Sequence, residues 1–527
     1  MTSLTGTRAL WRLALSRDRV RLPAWVLGIS LIVVGTAASF GELFQTAEER
    51  AKFAAGIVGN AGFRAIYGPI FNSSLGGLTA WRIGAAAAVY AALMSLLLVV
   101  RHTRAEEEAG RSELLGATVV GRHAGLAAAL IHIGIANLAV IVLVTLGFIA
   151  TGLPASGSLA FGLALGVTGL VFGAVGAVAA QLATTGRGAG GLAGSLLGGA
   201  YVLRMIGDAG DGTLSWVSPI GWAVQTRMFA DERWWVPALP LALTALLVPV
   251  AFLLVSRRDH GGGMLQEKPG PARASPQLNG PLGLAWRLQR GVLLGWTIGF
   301  VVAGGAIGAI ASDVGAFGEQ IGDLLRQVGN TNVLIDAYFA GVMSLFALAS
   351  GAYLIQAVLR IRVEENDLRA EPILAGPVSR WKWAGPHLLV AVGGATLLMA
   401  AVGLGAGVAH GLRADDLGSE VPRLVWTALL QLPAAWTLGG LAFAFTGVLP
   451  RLTAVAWGAF GVFVMLGYVG ELLDLPGLIL DVSPFRHTPR FPVAEVSFAP
   501  LLILGALAVG LGWLGYVGIR RRDITSG

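Results

Sequence analysis

The segment LTAWRIGAAAAVYAALMSLLLVV-RHTRAEEEAGRSELLGATVVGR, residues 78–122, contains the pattern that decides the fold. Its first part, residues 78–100, is almost entirely apolar and is long enough to cross a bilayer as a helix, which takes about 20 residues. The apolar run stops at Arg101, where charged residues become dense. A transmembrane helix followed by a charged loop at the membrane surface explains this change. The segment therefore predicts an integral membrane protein.

Similar apolar runs recur along the whole chain and predict about twelve transmembrane helices. The predicted spans are 23–40, 78–100, 124–151, 158–183, 189–206, 235–256, 291–311, 340–359, 384–409, 424–448, 453–472 and 499–519. Composition agrees, because 55% of the 527 residues are hydrophobic and only 13% are charged. Soluble chains carry about 25% charged residues. The predicted fold class is an all-α polytopic membrane protein.

Positive charge predicts the orientation of these spans. Lys and Arg are concentrated in alternate loops and beside both termini, which the positive-inside rule places in the cytoplasm of a bacterial inner membrane. This bias also explains the basic pI of about 10.1, so nucleic acid is not an expected partner. The chain has no Cys, which excludes disulfides and thiolate chemistry. We predict no catalytic group and no metal site.

Repeated motifs indicate that a six-span unit has been duplicated. In chain order, the matched segments are 9–13 with 284–288, 101–122 with 360–380 (RIRVEENDLRAEPILAGPVSR), Val-Ser-Pro at 217–219 with 482–484, and Arg-Arg-Asp at 257–259 with 521–523. Six is an even number of spans, so the two halves share one orientation and form two parallel six-helix repeats, a pseudo-dimer. The Val-Ser-Pro segments are expected to mark outer re-entrant elements.

The repeat predicts three parts of the chain. Residues 1–256 are expected to form the first six-span unit, which begins with an amphipathic interfacial helix over 4–22. Residues 257–281, rich in Gly and Pro, are expected to form a cytoplasmic linker. Residues 282–527 are expected to form the second six-span unit.

Both inner loops predict a short charged helix beneath the membrane. Glu107 precedes Arg111 by four residues, and Glu365 precedes Arg369 by four, which is the favoured order for a helical ion pair. A single charged loop would be explained by topology alone. Its recurrence at the same place in both halves favours a functional role.

The segment EEEAGRSELLGATVVGR, residues 106–122, resembles the cytoplasmic signature of type-2 ABC exporter permeases. The span layout resembles their duplicated, twelve-span actinobacterial branch, associated with resistance to polyketide antibiotics such as tetronasin. The resemblance implies a transport subunit that is not itself an enzyme and exports hydrophobic or amphipathic compounds through the lipid membrane. It also implies two copies of a cytoplasmic ATPase partner that bind ATP and Mg. No cofactor is expected on this chain, which contains no GxxxxGK[ST] phosphate loop.

The resemblance also implies which residues carry coupling and transport. Its coupling helices, which transmit closure of the ATPase, correspond to Arg104, Glu106, Glu107, Arg111 and Glu113 and to Arg362, Glu364, Glu365, Arg369 and Glu371. Its exit path, formed by the first, second and fifth spans of each half, selects Trp81, Tyr90, Met94, Tyr201, Met205, Phe346, Tyr353, Trp457, Phe460 and Tyr468. Aromatic and Met side chains suit a bulky amphipathic substrate.

Two other functional classes stay open. A proton-coupled multidrug transporter would use ionisable groups inside the membrane; the candidates are Arg82, His132, Arg204, His387 and Glu471. Four of them lie near span ends, where snorkelling accounts for them. The deeper residue, His132, has no carboxylate near it in sequence, which favours a packing role. A lipid-processing enzyme would need acidic residues beside a His at the outer face, and the acidic pairs there lack one.

Overall fold

The computed structural model describes residues 3–59, 61–110, 119–258, 262–265, 273, 275, 278, 280–320, 331–468 and 476–522. Regular structure in these residues is helical, with no β-strand. Eleven helical segments among the described residues are long and apolar enough to cross a membrane, including one formed by two consecutive helices over Leu417–Val448. The predicted all-α polytopic membrane fold is confirmed.

The chain divides into two compact units, Met1–Gly270 and Pro271–Gly527. The boundary lies within 257–281, the segment predicted as a linker. The assignment of each half to one copy of a duplicated unit stays a prediction.

The described α-helices of the first unit are α1 (Thr7–Arg17), α2 (Arg21–Leu43), α3 (Ala47–Ile57), α4 (Ala61–Tyr67), α5 (Leu75–His102), α6 (Arg104–Glu108), α7 (Ala124–Ala150), α8 (Ala155–Leu182), α9 (Gly186–Ala209), α10 (Pro219–Gln225) and α11 (Ala238–Arg257). Six of them are long and apolar enough to span a membrane, namely α2, α5, α7, α8, α9 and α11. Helix α8 lies at the centre and packs against α5, α7 and α11. The close approach of α7 requires glycine, because a Cβ at Gly162 would lie 2.8 Å from the backbone oxygen of Ile141.

The second unit is built in a similar way, with α12 packed along α15 and α17 packed along α20. Its described α-helices are α12 (Pro281–Gln320), α13 (Thr331–Asn366), α14 (Glu371–Leu374), α15 (Arg380–Ala414), α16 (Leu417–Leu429), α17 (Leu432–Val448), α18 (Val455–Tyr468), α19 (Gly477–Leu480) and α20 (Phe498–Arg521).

Hydroxyl side chains begin several of the long helices. Ser74, Thr185 and Ser379 each accept a hydrogen bond from the backbone N–H three residues further on, before α5, α9 and α15. This contact satisfies one of the N–H groups that a helix start leaves without a helical partner. The spans therefore begin where the apolar runs meet a local capping signal.

Two predicted elements differ from the structure, and a third is tested only in part. The interfacial helix predicted over 4–22 ends at Arg17, because the chain turns at Asp18 before α2 begins. The span predicted over 424–448 is divided between α16 and α17, where Pro433 lies in the first turn of α17 and cannot donate a backbone hydrogen bond. The span predicted over 453–472 is observed as α18 from Val455 to Tyr468, and its predicted remainder lies outside the described residues.

Candidate functional site

The first inner loop is held against its own unit by a buried arginine. Arg104 begins α6 directly after α5 and is 1% exposed. Its guanidinium donates to Glu107 Oε2 at 2.7 Å, to the carbonyl oxygen of Thr184 at 2.8 Å and to that of Gly262 at 3.0 Å. One side chain thus joins α6 to the end of α8 and to the segment after α11.

A second arginine reaches the same carboxylate from the end of α11. Arg258 donates to both oxygens of Glu107, with 2.8 Å between its Nη1 and Oε2. It also donates to Gln181 Oε1 at 2.7 Å and to the carbonyl oxygen of Gly262 at 3.0 Å. Glu107 therefore lies between two guanidinium groups, and charge-assisted bonds of this kind are the stronger class.

The second inner loop repeats this arrangement. Arg362 donates to Glu365 Oε2 at 2.8 Å, and Arg522, directly after α20, pairs with Glu365 Oε1. The side chain of Glu365 is 1% exposed. In both units, one glutamate lies between two arginines. One arginine precedes the glutamate by three residues, and the other directly follows the last long helix.

The sequence analysis had identified the charged loops and the Arg-Arg-Asp segments as repeats, but it had not predicted that they contact each other. The Arg-Arg-Asp repeat was recognised only as a match, whereas Arg258 is separated from Glu107 by 151 residues and Arg522 from Glu365 by 157. The recurrence of the two motifs in the same order was the only signal that could have linked them.

The helical pair predicted between Glu365 and Arg369 is wrong. Helix α13 ends at Asn366, and Leu368 adopts a left-handed conformation with φ 58°. The turn moves Arg369 away from the expected face, and its guanidinium lies 3.5 Å from Glu364 Oε1 instead.

The remaining residues predicted for coupling occupy different environments. Glu106 pairs with Arg17 of α1 at 2.6 Å. The side chain of Arg369 is 58% exposed, and Glu371 at the start of α14 is exposed as well. Glu364 is buried and pairs with Arg360 at 2.5 Å. Arg111 and Glu113 lie outside the described residues.

Snorkelling does not explain Arg204, which is fully buried in α9. Its Nε lies 2.6 Å from Asp208 Oδ2, and its Nη1 donates to the carbonyl oxygens of Ala65 at 3.0 Å and Ile66 at 2.8 Å. The side chain therefore fastens α4 to α9 within the first unit, so the sequence-based interpretation was wrong. Glu471 lies outside the described residues.

Several residues predicted to line a substrate path are enclosed by their own unit. Met94 is 0% exposed and Tyr353 is 1% exposed, so both pack in the cores of their units. Trp81 is buried with its ring centroid 4.9 Å from that of Tyr67. The Tyr201 hydroxyl donates to the carbonyl oxygen of Ile66 at 3.3 Å.

Other residues of the predicted path are more accessible. Tyr90 is 37% exposed and Trp457 is 43% exposed. Met205, Phe346 and Phe460 are half-buried. The side chain of the remaining residue, Tyr468, lies outside the described part. A lining role for the accessible side chains stays a prediction.

The second unit also contains a cavity of about 390 Å³ with a mainly apolar lining and several polar groups, between α13, α18 and the segment 480–493. Gln431 and Ser483 line it and are 2% and 1% exposed, yet Gln431 Oε1 and Ser483 Oγ have no hydrogen-bond partner. Arg486 and Arg490 complete its polar lining. The matching Ser218 in the first unit is satisfied, because its Oγ bonds the backbone of α9 and α10. The cavity can therefore hydrogen-bond an amphipathic molecule.

Comparison with known proteins finds a relative that covers nearly the whole chain. The chain is 42% identical over 530 residues to the multidrug efflux system permease protein Rv1217c of Mycobacterium tuberculosis, which covers 99% of this chain and 96% of the relative. Residues 278–520 match the family model described as the C-terminal domain of the multidrug efflux system permease Rv1217c.

Proposed function

Because the chain belongs to the Rv1217c family of multidrug efflux permeases, we propose that it is the membrane permease of an ATP-driven ABC exporter. It moves hydrophobic and amphipathic compounds, including polyketide antibiotics of the tetronasin type, out of the cell. Two copies of a separate ATPase subunit bind ATP and Mg²⁺ and dock beneath the bacterial inner membrane. Both termini and both inner loops face that cytoplasmic partner.

The repeated arginine–glutamate–arginine cluster carries this proposal. Each cluster joins the loop after the second long helix of its unit to the end of the last long helix, through Glu107 with Arg258 and Glu365 with Arg522. A loop that is attached to both helices moves with them. A push from an ATPase on such a loop therefore reaches two transmembrane helices at once.

The clusters also distinguish two roles, positioning of the loop and contact with the partner, which the sequence analysis had assigned to one set of residues. Glu107 and Glu365 are occupied by arginines of their own unit, so they position the loops. Contact with the partner falls to exposed loop residues, which among the predicted coupling residues of the second loop are Arg369 and Glu371. Charged groups at the rim of an interface set registry and the rate of association.

The cavity in the second unit supports a substrate with both apolar and hydroxyl groups. Its orphan polar atoms on Gln431 and Ser483 gain hydrogen bonds when such a molecule binds. Apolar lining from residues such as Leu348 and Phe485 suits the rest of an amphipathic compound.

Co-purification with the ATPase subunit tests the proposal. The complex should hydrolyse ATP faster when amphipathic antibiotics are added, and native mass spectrometry should find one 54.4 kDa chain for two ATPase subunits. Two copies of the chain per ATPase pair would contradict the pseudo-dimer. Drug transport by the chain alone under an imposed proton gradient would support the secondary transporter instead.

A further inference from the structure

Three side chains from distant parts of the sequence meet in the first unit, beside the first inner loop. Asp18 follows α1, His102 ends α5, and His132 lies in α7. Both histidines direct Nε2 at the same carboxylate oxygen, Asp18 Oδ2, at 2.5 Å from His102 and 3.4 Å from His132. The three ligand atoms lie within 4.8 Å of one another.

This group is enclosed and incompletely satisfied. The exposed fractions of the Asp18, His102 and His132 side chains are 0%, 7% and 1%. His132 Nδ1 has no hydrogen-bond partner, and its Nε2 has only the long contact of 3.4 Å with Asp18. Buried polar groups almost always have partners, and an orphan one points to a bound water or ion. Two imidazoles and one carboxylate that converge in this way form a ligand set that a divalent metal ion can use.

We propose that Asp18, His102 and His132 bind a divalent transition-metal ion, and we commit to Zn²⁺. Imidazole and carboxylate are ordinary zinc ligands, whereas Mg²⁺ and Ca²⁺ prefer oxygen alone. Ligand atoms about 2.0–2.1 Å from a tetrahedral zinc ion lie about 3.3 Å apart. The distance between His132 Nε2 and Asp18 Oδ2 is already close to that value. The distance between His102 Nε2 and Asp18 Oδ2 must increase by about 0.8 Å.

The surroundings supply the rest of a zinc site. Arg101 Nε lies 3.2 Å from Asp18 Oδ1, the oxygen that faces away from both imidazoles. A ligating carboxylate commonly has such an outer partner, which fixes its orientation. A cavity of about 170 Å³ reaches His102 and is lined also by Arg17 and Glu106. Water that enters through this cavity would complete four-coordination.

The ion would fasten α1, α5 and α7 together immediately before α6. In the second unit, Leu293 and Arg360 occupy the positions that match Asp18 and His102 in the repeat. Only the first inner loop therefore acquires this fastening, and one ion binds per chain. The sequence had predicted no metal site because Asp18 and His102 are 84 residues apart.

Metal counting on the full chain tests the site. The protein is purified with a tag that lacks histidine, stripped with EDTA, incubated with ZnCl₂, gel-filtered and analysed by inductively coupled plasma mass spectrometry. The wild type should retain about one zinc per chain. Asp18→Asn and His132→Gln should each weaken binding at least about tenfold, since even outer-shell changes cost about 10–100-fold. The control His387→Gln, a buried histidine of the second unit, should bind like the wild type.

A second measurement needs no variant and so does not depend on variant folding. X-ray absorption at the zinc edge of the wild type should show a four-coordinate nitrogen and oxygen shell with two imidazoles, and Co²⁺ should give the visible bands of a tetrahedral site. A wild type without retained zinc overturns the proposal. Equal zinc content in the wild type and a folded His132→Gln variant overturns it as well.

Discussion

Replacing Glu365 by Gln removes the one charge that balances two guanidinium groups in the second inner loop. The Glu365 side chain is 1% exposed, and those of Arg362 and Arg522 are 17% and 11% exposed. Nε and Nη1 of Arg522 already lack hydrogen-bond partners, so this arginine depends on Glu365. Breaking a buried ion pair costs about 3–5 kcal/mol, and because Gln keeps one acceptor oxygen we expect about 3 kcal/mol here.

The matched change, Glu107→Gln, should cost less. Arg104 and Arg258 keep the carbonyl oxygen of Gly262 as an acceptor, and Arg258 also keeps Gln181 Oε1. Since hydrogen bonds to charged groups contribute about 1.5–3 kcal/mol each, we expect a loss of about 1.5 kcal/mol in the first unit. The structure therefore predicts an asymmetry between two sites with the same motif.

Unfolding of the purified chain in mixed detergent and SDS micelles, followed by tryptophan fluorescence, measures both losses. Glu371→Gln is the control, because this residue is exposed and should stay within about 0.5 kcal/mol of the wild type. A double-mutant cycle of Glu365→Gln with Arg522→Met should give a coupling of about 1–3 kcal/mol. The reasoning is refuted if Glu107→Gln costs more than Glu365→Gln, or if both match the control.

Three further outcomes follow from the outer segments. Ser218→Ala should lower the free energy of unfolding by about 1–2 kcal/mol, because it removes a helix cap. The Ser483 hydroxyl has no hydrogen-bond partner, so Ser483→Ala should stay within about 0.5 kcal/mol of the wild type. Thermal unfolding of the two variants measures the difference. Cysteines at Val217 and Val482, 63% and 61% exposed, should react with an impermeant maleimide added outside the cell, and reaction only from the cytoplasmic side would reverse the topology. Gly221→Ala should fail to yield monodisperse protein on gel filtration, because its Cβ would lie 1.9 Å from a backbone oxygen.

Hydropathy alone was sufficient to predict most of the long helices. The span predicted over 124–151 is observed as Ala124–Ala150, and that predicted over 158–183 as Ala155–Leu182. Both depend on runs of neighbouring apolar residues, which the sequence displays directly. The span predicted over 453–472 is tested only as far as Tyr468, up to which α18 is helical.

Contacts between distant residues could not be predicted in this way. Arg204 was expected to reach water, but it binds backbone oxygens of α4 that are 138 and 139 residues away. His132 was assigned to packing for want of a carboxylate, and Asp18 supplies one from the turn after α1. Glu365 does not pair with Arg369, because the helix ends between them and Leu368 adopts a left-handed conformation. Each of these depends on where the chain turns, which charge spacing alone does not specify.

Drug uptake into inside-out vesicles tests the central claim, that ATP hydrolysis by an ATPase docked on the inner loops drives export. Vesicles that contain the chain and its ATPase should accumulate an amphipathic antibiotic only when ATP is present. The reversals Arg369→Glu and Glu371→Arg, on exposed side chains, should reduce that uptake while the amount of chain in the membrane stays constant. Uptake that continues without ATP and follows the proton gradient would contradict the account.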